Sequence, residues 1–341
     1  MSPYPSRHAW FATLVVCGCL SFPDTAHADN AAAAEFTLRN HNPFLQIFGL
    51  PPLQSASVVP AGETNFGVSL DLANNADFGA TEIENLFIDG ESYFLQMTLR
   101  RRVKSWLELG VDVPLVSHSG GFMDSAIINW HDTFGMSNTK RRGPDDELLF
   151  LYQRDEATLY ELSSTASGLG DVQMTAAIPI KEAAADGYAL TVRTSLKLPT
   201  GDDRELLGRG AADLAAGLYM SRSATFFHRP LSLSAFGGLL LLGDGDVLPE
   251  LQESAVPFGG VVGSWQVAER FAITTQLQAQ GAYYASDIEE LGGGTTQLGV
   301  GFRYRLQKNG RCLKFAVVED ITADATTDFA LHFSFNSRCD R

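Results

Sequence analysis

From Thr64 onward apolar and polar residues alternate in runs of about ten, the period of two that belongs to β-strands. In Thr64–Leu72, Phe66, Val68, Leu70 and Leu72 share one face, and Asn65, Gly67, Ser69 and Asp71 the other. Ser92–Arg101 sets Tyr93, Leu95, Met97 and Leu99 against Gln96, Thr98 and Arg100. Ser105–Val113 sets Leu107, Leu109, Val111 and Val113 against Glu108, Gly110 and Asp112. The same pattern predicts nine more strands: Asp171–Ile178, Tyr188–Leu198, Ala212–Met220, Leu231–Leu242, Phe258–Val267, Phe271–Gly281, Thr296–Leu306, Cys312–Glu319 and Thr327–Phe335. Charged residues in mid-strand, flanked by large apolar ones, mark a wet inner face and a lipid-facing outer one. Each run is close to the length of a tilted membrane-spanning strand. Twelve is an even number, as closed antiparallel barrels of this class have.

The expected fold is therefore all-β: a transmembrane antiparallel β-barrel of twelve strands. Its connections alternate. Residues 101–104, 181–187, 222–230, 268–270 and 307–311 form a short set, expected in the periplasm. Residues 73–91, 114–170, 199–211, 243–257, 282–295 and 320–326 form a longer set, expected outside. A soluble β-sandwich also alternates. Against it stand the near-equal strand lengths and a polar face holding Arg, Lys, Glu, Gln and Gly. With the register above, Arg100, Glu108, Asp112, Arg193, Lys197, Gln276, Gln278, Arg303 and Arg305 are expected to line the lumen.

Two stretches break the alternation. Residues 40–61, rich in Asn and Pro, read as irregular, either crossing the barrel base or lying inside the lumen. Residues 114–170 form a long insertion in the third connection. Within it, 122–134 has mixed helical spacing and predicts a short amphipathic helix; 140–146 is a charged turn; and 148–152 with 157–162 predicts a small hairpin.

Before the first strand, Arg7, the apolar run Trp10–Phe22 and Ala26-His27-Ala28 fit a secretory signal peptide spanning 1–28. The apolar run is too short for a membrane helix. A rival reading takes Val16-Cys17-Gly18-Cys19 as a lipoprotein box with Cys19 lipidated; the downstream cleavage site favours the signal peptide. Residues 29–61 are then an irregular N-terminal segment and 62–341 the barrel. The chain carries 25 Lys+Arg against 40 Asp+Glu, a net charge of -15. Removing Arg7 and Asp24 with the signal leaves that balance unchanged. Such acidity excludes a nucleic-acid partner, which needs a basic surface. The expected partners are outer-membrane lipid, the barrel insertion machinery and small polar solutes. Two cysteines remain, Cys312 and Cys339, and an oxidising compartment permits a disulfide between them.

The run Leu109–Gly135, with PLVSHSGGFMDSAIINWHDTFG as its main part, resembles the signature of a Gram-negative outer-membrane family, domain-of-unknown-function family 3187. Asn42-Pro43-Phe44 with Gly49-Leu50-Pro51, Leu198-Pro199-Thr200-Gly201 and Val318-Glu319-Asp320 resemble its other landmarks. The similarity runs from about Asn42 to Phe335. It implies an outer-membrane protein and brings no catalytic residues. The chain ends six residues beyond Phe335, whereas many barrels end on the aromatic that the insertion machinery reads.

Candidate chemistry is sparse. Ser117, His118, Ser119 and Asp124 supply the residue types of a serine hydrolase acting on lipid. Yet adjacent Ser and His point apart on an extended chain, and no nucleophile elbow surrounds either serine. His118, His131 and Asp132, or the acidic run Asp287-Ile288-Glu289-Glu290, lack a specific metal-ligand pattern. Gly292-Gly293-Gly294 is a turn, with no following Lys to make a phosphate loop. No cofactor is expected. The functional readings are a small-solute pore, a non-conducting structural or adhesive barrel, and an outer-membrane lipid hydrolase, with the enzyme the least favoured.

Overall fold

The computed structural model describes residues 35–121, 147–183, 187–306, 310–321 and 329–339. The expected signal peptide, the expected helix at 122–134, the expected charged turn at 140–146 and Asp124, His131 and Asp132 lie outside the described residues. Among the described residues fifteen strands form one sheet. They are β1 (Thr64–Ala80), β2 (Glu84–Lys104), β3 (Leu107–Ser119), β4 (Leu149–Arg154), β5 (Ala157–Leu162), β6 (Ala166–Leu169), β7 (Gln173–Lys181), β8 (Tyr188–Lys197), β9 (Asp213–Phe226), β10 (Arg229–Leu242), β11 (Ala255–Ala268), β12 (Phe271–Gln280), β13 (Thr295–Leu306), β14 (Arg311–Asp320) and β15 (Phe329–Asn336).

Twelve of them close a barrel in which each strand pairs antiparallel with its neighbour: β1, β2, β3 and then β7 through β15, which returns to β1. These are the twelve strands the alternation predicts. The remaining three are extensions. β4 pairs with the first residues of β2, β5 pairs with β4, and β6 continues the β7 edge along β3. The hairpin expected in the third connection thus raises the wall.

One connection is corrected. Residues 73–91 are not a loop: β1 runs on to Ala80, β2 begins at Glu84, and the two stay paired to Ala80↔Asn85. Continued hydrogen bonding to β2 and β4 sustains them beyond the lipid-matched length. At the opposite end the turns are tight. Phe227 and His228, between β9 and β10, both have positive φ, the two-residue turn that fits strand twist. Phe226, Phe227 and Trp265 pack ring to ring there.

Alternation decides which face is which. Phe66, Leu99, Leu109, Met174, Leu196, Leu218, Ile273 and Leu313 are exposed on the outside of the wall. Ser69, Asp71, Gln96, Asp112, Lys197, Gln276 and His332 are buried in its interior. An apolar exterior around a polar interior inverts a soluble protein and is the pattern of a barrel immersed in lipid. Among the described residues no helix is long and apolar enough to cross a membrane.

Candidate functional site

The interior is filled by the chain's own residues 35–63, which form neither strand nor helix. A segment without secondary structure must satisfy its backbone polar groups elsewhere. Here the barrel wall supplies the partners. Near the short-turn end, Lys314 Nζ donates to Glu35 O (2.7 Å), Glu35 Oε1 accepts from Ser234, and Phe36 N donates to Gln276 Oε1 (3.0 Å). The chain climbs past Arg39 toward the long-loop end. There Asn42 Nδ2 donates to Glu290 O and Tyr284 Oη donates to Phe44 O. It turns over at residues 42–48 and descends. Gly49 N donates to Asp213 Oδ2 (2.9 Å), and Ala56 N to Ser221 Oγ (2.9 Å). Arg193 donates to the carbonyls of Ser55 and Ser57, and Val59 N donates to Glu108 Oε2 (2.6 Å). The segment is a hairpin with both limbs leaving at the short-turn end, where Gly62 N reaches Arg102 O.

Its tip is apolar. Phe44, Leu45, Ile47, Phe48 and Leu53 join Leu86, Phe150, Leu240, Leu251, Tyr283 and Tyr284 in one buried cluster at the long-loop end. The lower limbs are polar and charged. Arg100 makes a bidentate pair with Asp112 (2.6 and 2.7 Å), and Arg193 pairs with Glu108 (3.0 Å). Lys197 bonds Asp171 and lies 3.4 Å from Asp213, which also holds Arg209. A buried charge survives only when paired and hydrogen-bonded; these pairs meet that condition. A cavity of about 40 Å³ lies between the segment and the wall, among Arg39, Gly49, Gln96, Asp112, Asp171 and Lys197. It has room for a few waters.

The nine sequence-derived candidates do not converge on one point. Arg100, Glu108, Asp112, Arg193 and Lys197 sit on the β2, β3 and β8 side and form pairs. Gln276 and Gln278 lie across the barrel, Gln276 against Phe36 and Gln278 against Gln297. Arg303 is buried and Arg305 half-buried on β13. Ser117 and Ser119 stand on the outer face of β3, while His118 points inward, bonded to Ser92 Oγ (2.9 Å), Gln46 and Leu206 O. The candidate Ser–His pairing therefore has no geometry. His118 does meet Ser92, but both are wholly enclosed. Cys312 and Cys339 are disulfide-bonded. Among the described residues no His, Cys, Asp and Glu group is arranged to hold a metal.

Sequence reasoning missed a second polar centre. Asp71 on β1 bonds His332 Nδ1 (2.5 Å) and lies 3.7 Å from Arg39 Nε. Arg39 lies over the Phe94 ring (3.6 Å), and burial lowers its pKa. His41 beside them is buried, and neither ring nitrogen has a hydrogen-bond partner among the described residues. Burial pushes its pKa down to about 4, with Asp71 opposing and Arg39 and His332 reinforcing the shift. Arg209, wholly buried, was also missed; its signal is an Arg isolated between Gly208 and Gly210.

A family model described as protein of unknown function, DUF3187, matches residues 11–339. No curated protein matches the chain. Among solved structures the chain is similar to an outer membrane channel from Pseudomonas putida F1, at 14% identity and a TM-score of 0.52, covering 83% of this chain and 97% of that one. It is also similar to the toluene transporter TbuX of Ralstonia pickettii, at 12% identity and a TM-score of 0.39, covering 82% and 90%. A third is the transport unit of the autotransporter AIDA-I from Escherichia coli, at 8% identity and a TM-score of 0.43, covering 80% and 88%. The architecture shared with the Pseudomonas putida channel is that of an outer-membrane β-barrel.

Proposed function

Because the chain belongs to the DUF3187 family and folds as an outer-membrane β-barrel, we propose that it is a gated conduit for small solutes, with residues 35–63 as its gate. The short turns then face the periplasm and the long connections the exterior. Outer-membrane lipid contacts the apolar wall, and the insertion machinery delivers the barrel. One observation carries the reading: the interior is occupied by a segment that continues into β1 at one end and is otherwise held to the wall it touches by hydrogen bonds and packing among the described residues. A purely structural or adhesive barrel needs no separable filling. The hydrolase reading loses its support with the outward placement of Ser117 and Ser119.

Locking the segment tests this. Ser55 Oγ and Ser221 Oγ are 3.3 Å apart, so Ser55→Cys with Ser221→Cys places two thiols at bonding distance. In planar bilayers the oxidised double variant is expected to be silent, and the reduced one to show discrete openings. The unsubstituted protein with the same reductant controls for opening of Cys312–Cys339. Equal conductance in both states, or none in either, overturns the gate.

A further inference from the structure

At the tip of the segment one ring is held in a manner that the closure of a barrel does not require. Phe48 stacks on Tyr283, centroids 4.3 Å apart and planes 9° apart. Tyr284 meets it edge-on at 5.2 Å and 76°. The Arg209 guanidinium carbon lies 4.7 Å from the centre of the same ring. A face, an edge and a cation are the three geometries by which proteins hold aromatic rings.

The walls of this slot are fixed without the segment. Arg209 Nη1 donates to Gln252 Oε1 (2.7 Å), Nη2 to Gly243 O (2.7 Å), and Nε and Nη2 both reach Asp213. Glu253 N donates to Tyr283 O (2.8 Å), Ala285 N donates to Leu251 O (2.6 Å), and Gln252 bridges to Tyr284. The two loops carrying the slot thus hold each other through backbone bonds that do not involve the segment. The guanidinium edge is spent on these acceptors, so Arg209 offers a ligand only its flat face. That selects an uncharged ring over a carboxylate. Tyr284 Oη, now 3.4 Å from Phe44 O, is released when the segment departs and supplies a hydrogen bond to one polar substituent.

We propose that the slot between Tyr283, Tyr284 and Arg209 binds a small, neutral, planar aromatic molecule of phenol or indole type, and that Phe48 is its resident surrogate, displaced when the ligand arrives. The proposal rests on the gated-conduit reading. Ligand entry and gate opening are then one exchange: the ligand replaces the ring that anchors the tip.

The test uses the full-length Ser55→Cys/Ser221→Cys protein in detergent, with phenol, indole and cyclohexanol as probes. Phenol and indole are expected to slow disulfide formation about tenfold, the ratio that one lost ring contact of about 1.4 kcal/mol produces. Cyclohexanol, of similar size but without a π face, is expected to leave the rate unchanged. Tyr283→Leu removes the stacking face and abolishes the aromatic preference; Tyr283→Phe retains it and shows that the loop still folds. Equal action of cyclohexanol and phenol, or an aromatic preference surviving Tyr283→Leu, overturns the site. Phenol slowing the cross-link in a protein that never conducts overturns the conduit alone. Conductance on reduction without any aromatic effect overturns the slot alone.

Discussion

His41 is the residue at which proton concentration would act on the proposed gate. It is buried on the ascending limb, and Asp71, His332 and Arg39 are the charged or titratable groups acting on it. Its pKa falls from 6.5 to about 4, chiefly through burial. Once the segment leaves the lumen, His41 regains an ordinary value. The released state therefore binds a proton below about pH 6.5 that the seated state refuses until about pH 4. Seating is at full strength above pH 6.5 and weakens as pH falls through that window, by about 2–3 kcal/mol at its lower end. Openings in planar bilayers are expected to rise between pH 7.5 and pH 4.5 in the unsubstituted protein. His41→Gln removes most of that rise. A variant with an unchanged pH response shows that another group governs the opening.

At the scale of elements, the connection after β8 is a turn organised by one carboxylate. Asp171 accepts from Thr200 N (3.0 Å), Gly201 N (2.9 Å) and Arg209 N (3.4 Å), and bonds Lys197. Leu198-Pro199-Thr200-Gly201 is thereby pinned to the start of β7. Gly201 stands where a Cβ meets Leu207 O at 2.4 Å, which explains the glycine. Asp171→Asn removes the nearer of the two carboxylates that neutralise Lys197. It is expected to cost about 3 kcal/mol, read as a lower denaturant midpoint of the detergent-solubilised barrel with its β content intact at zero denaturant. An unchanged midpoint means that Asp213 alone suffices for Lys197. The same scale shows what alternation can and cannot convey. Every barrel strand was legible because lipid outside and polar filling inside impose a period of two on the same residues. The upper parts of β1 and β2 were not. There the alternation lapses: Ala73, Asn74, Asn75, Ala76 and Asp77 are all buried, and Asn74 and Ala76 stand where the period of two calls for a large apolar residue.

For the whole molecule, the filled interior was the part least legible. From sequence, residues 40–61 fit either the barrel base or the lumen, because the segment has no period of its own. Its partners are remote: Phe36 meets Gln276 and Gly49 meets Asp213, and neither contact leaves a local trace. The barrel's seam was better foreshadowed. Ser337 N donates to Phe66 O, Arg338 pairs with Glu63, and Cys339 is bonded to Cys312. The residues after Phe335 thus lace β1 to β14 across β15. Cys312→Ser with Cys339→Ser is expected to lower the barrel's stability by about 2–4 kcal/mol. The readout is a lower temperature for the shift from folded to unfolded mobility in unboiled gels. An unaltered transition assigns the whole seam to strand pairing.

The hairpin course of residues 35–63 has a mechanical consequence. Both limbs enter and leave by the same mouth, so the segment need not be threaded through the wall to come out. Tension applied from the short-turn side loads its bonds to Lys314, Gln276, Arg193 and Ser221 in succession. That is unzipping, in which contacts yield one after another at low force. A single pass from end to end places the same bonds in shear and makes them fail together. The fold therefore makes withdrawal a graded event, with the ring at position 48 the last point to let go.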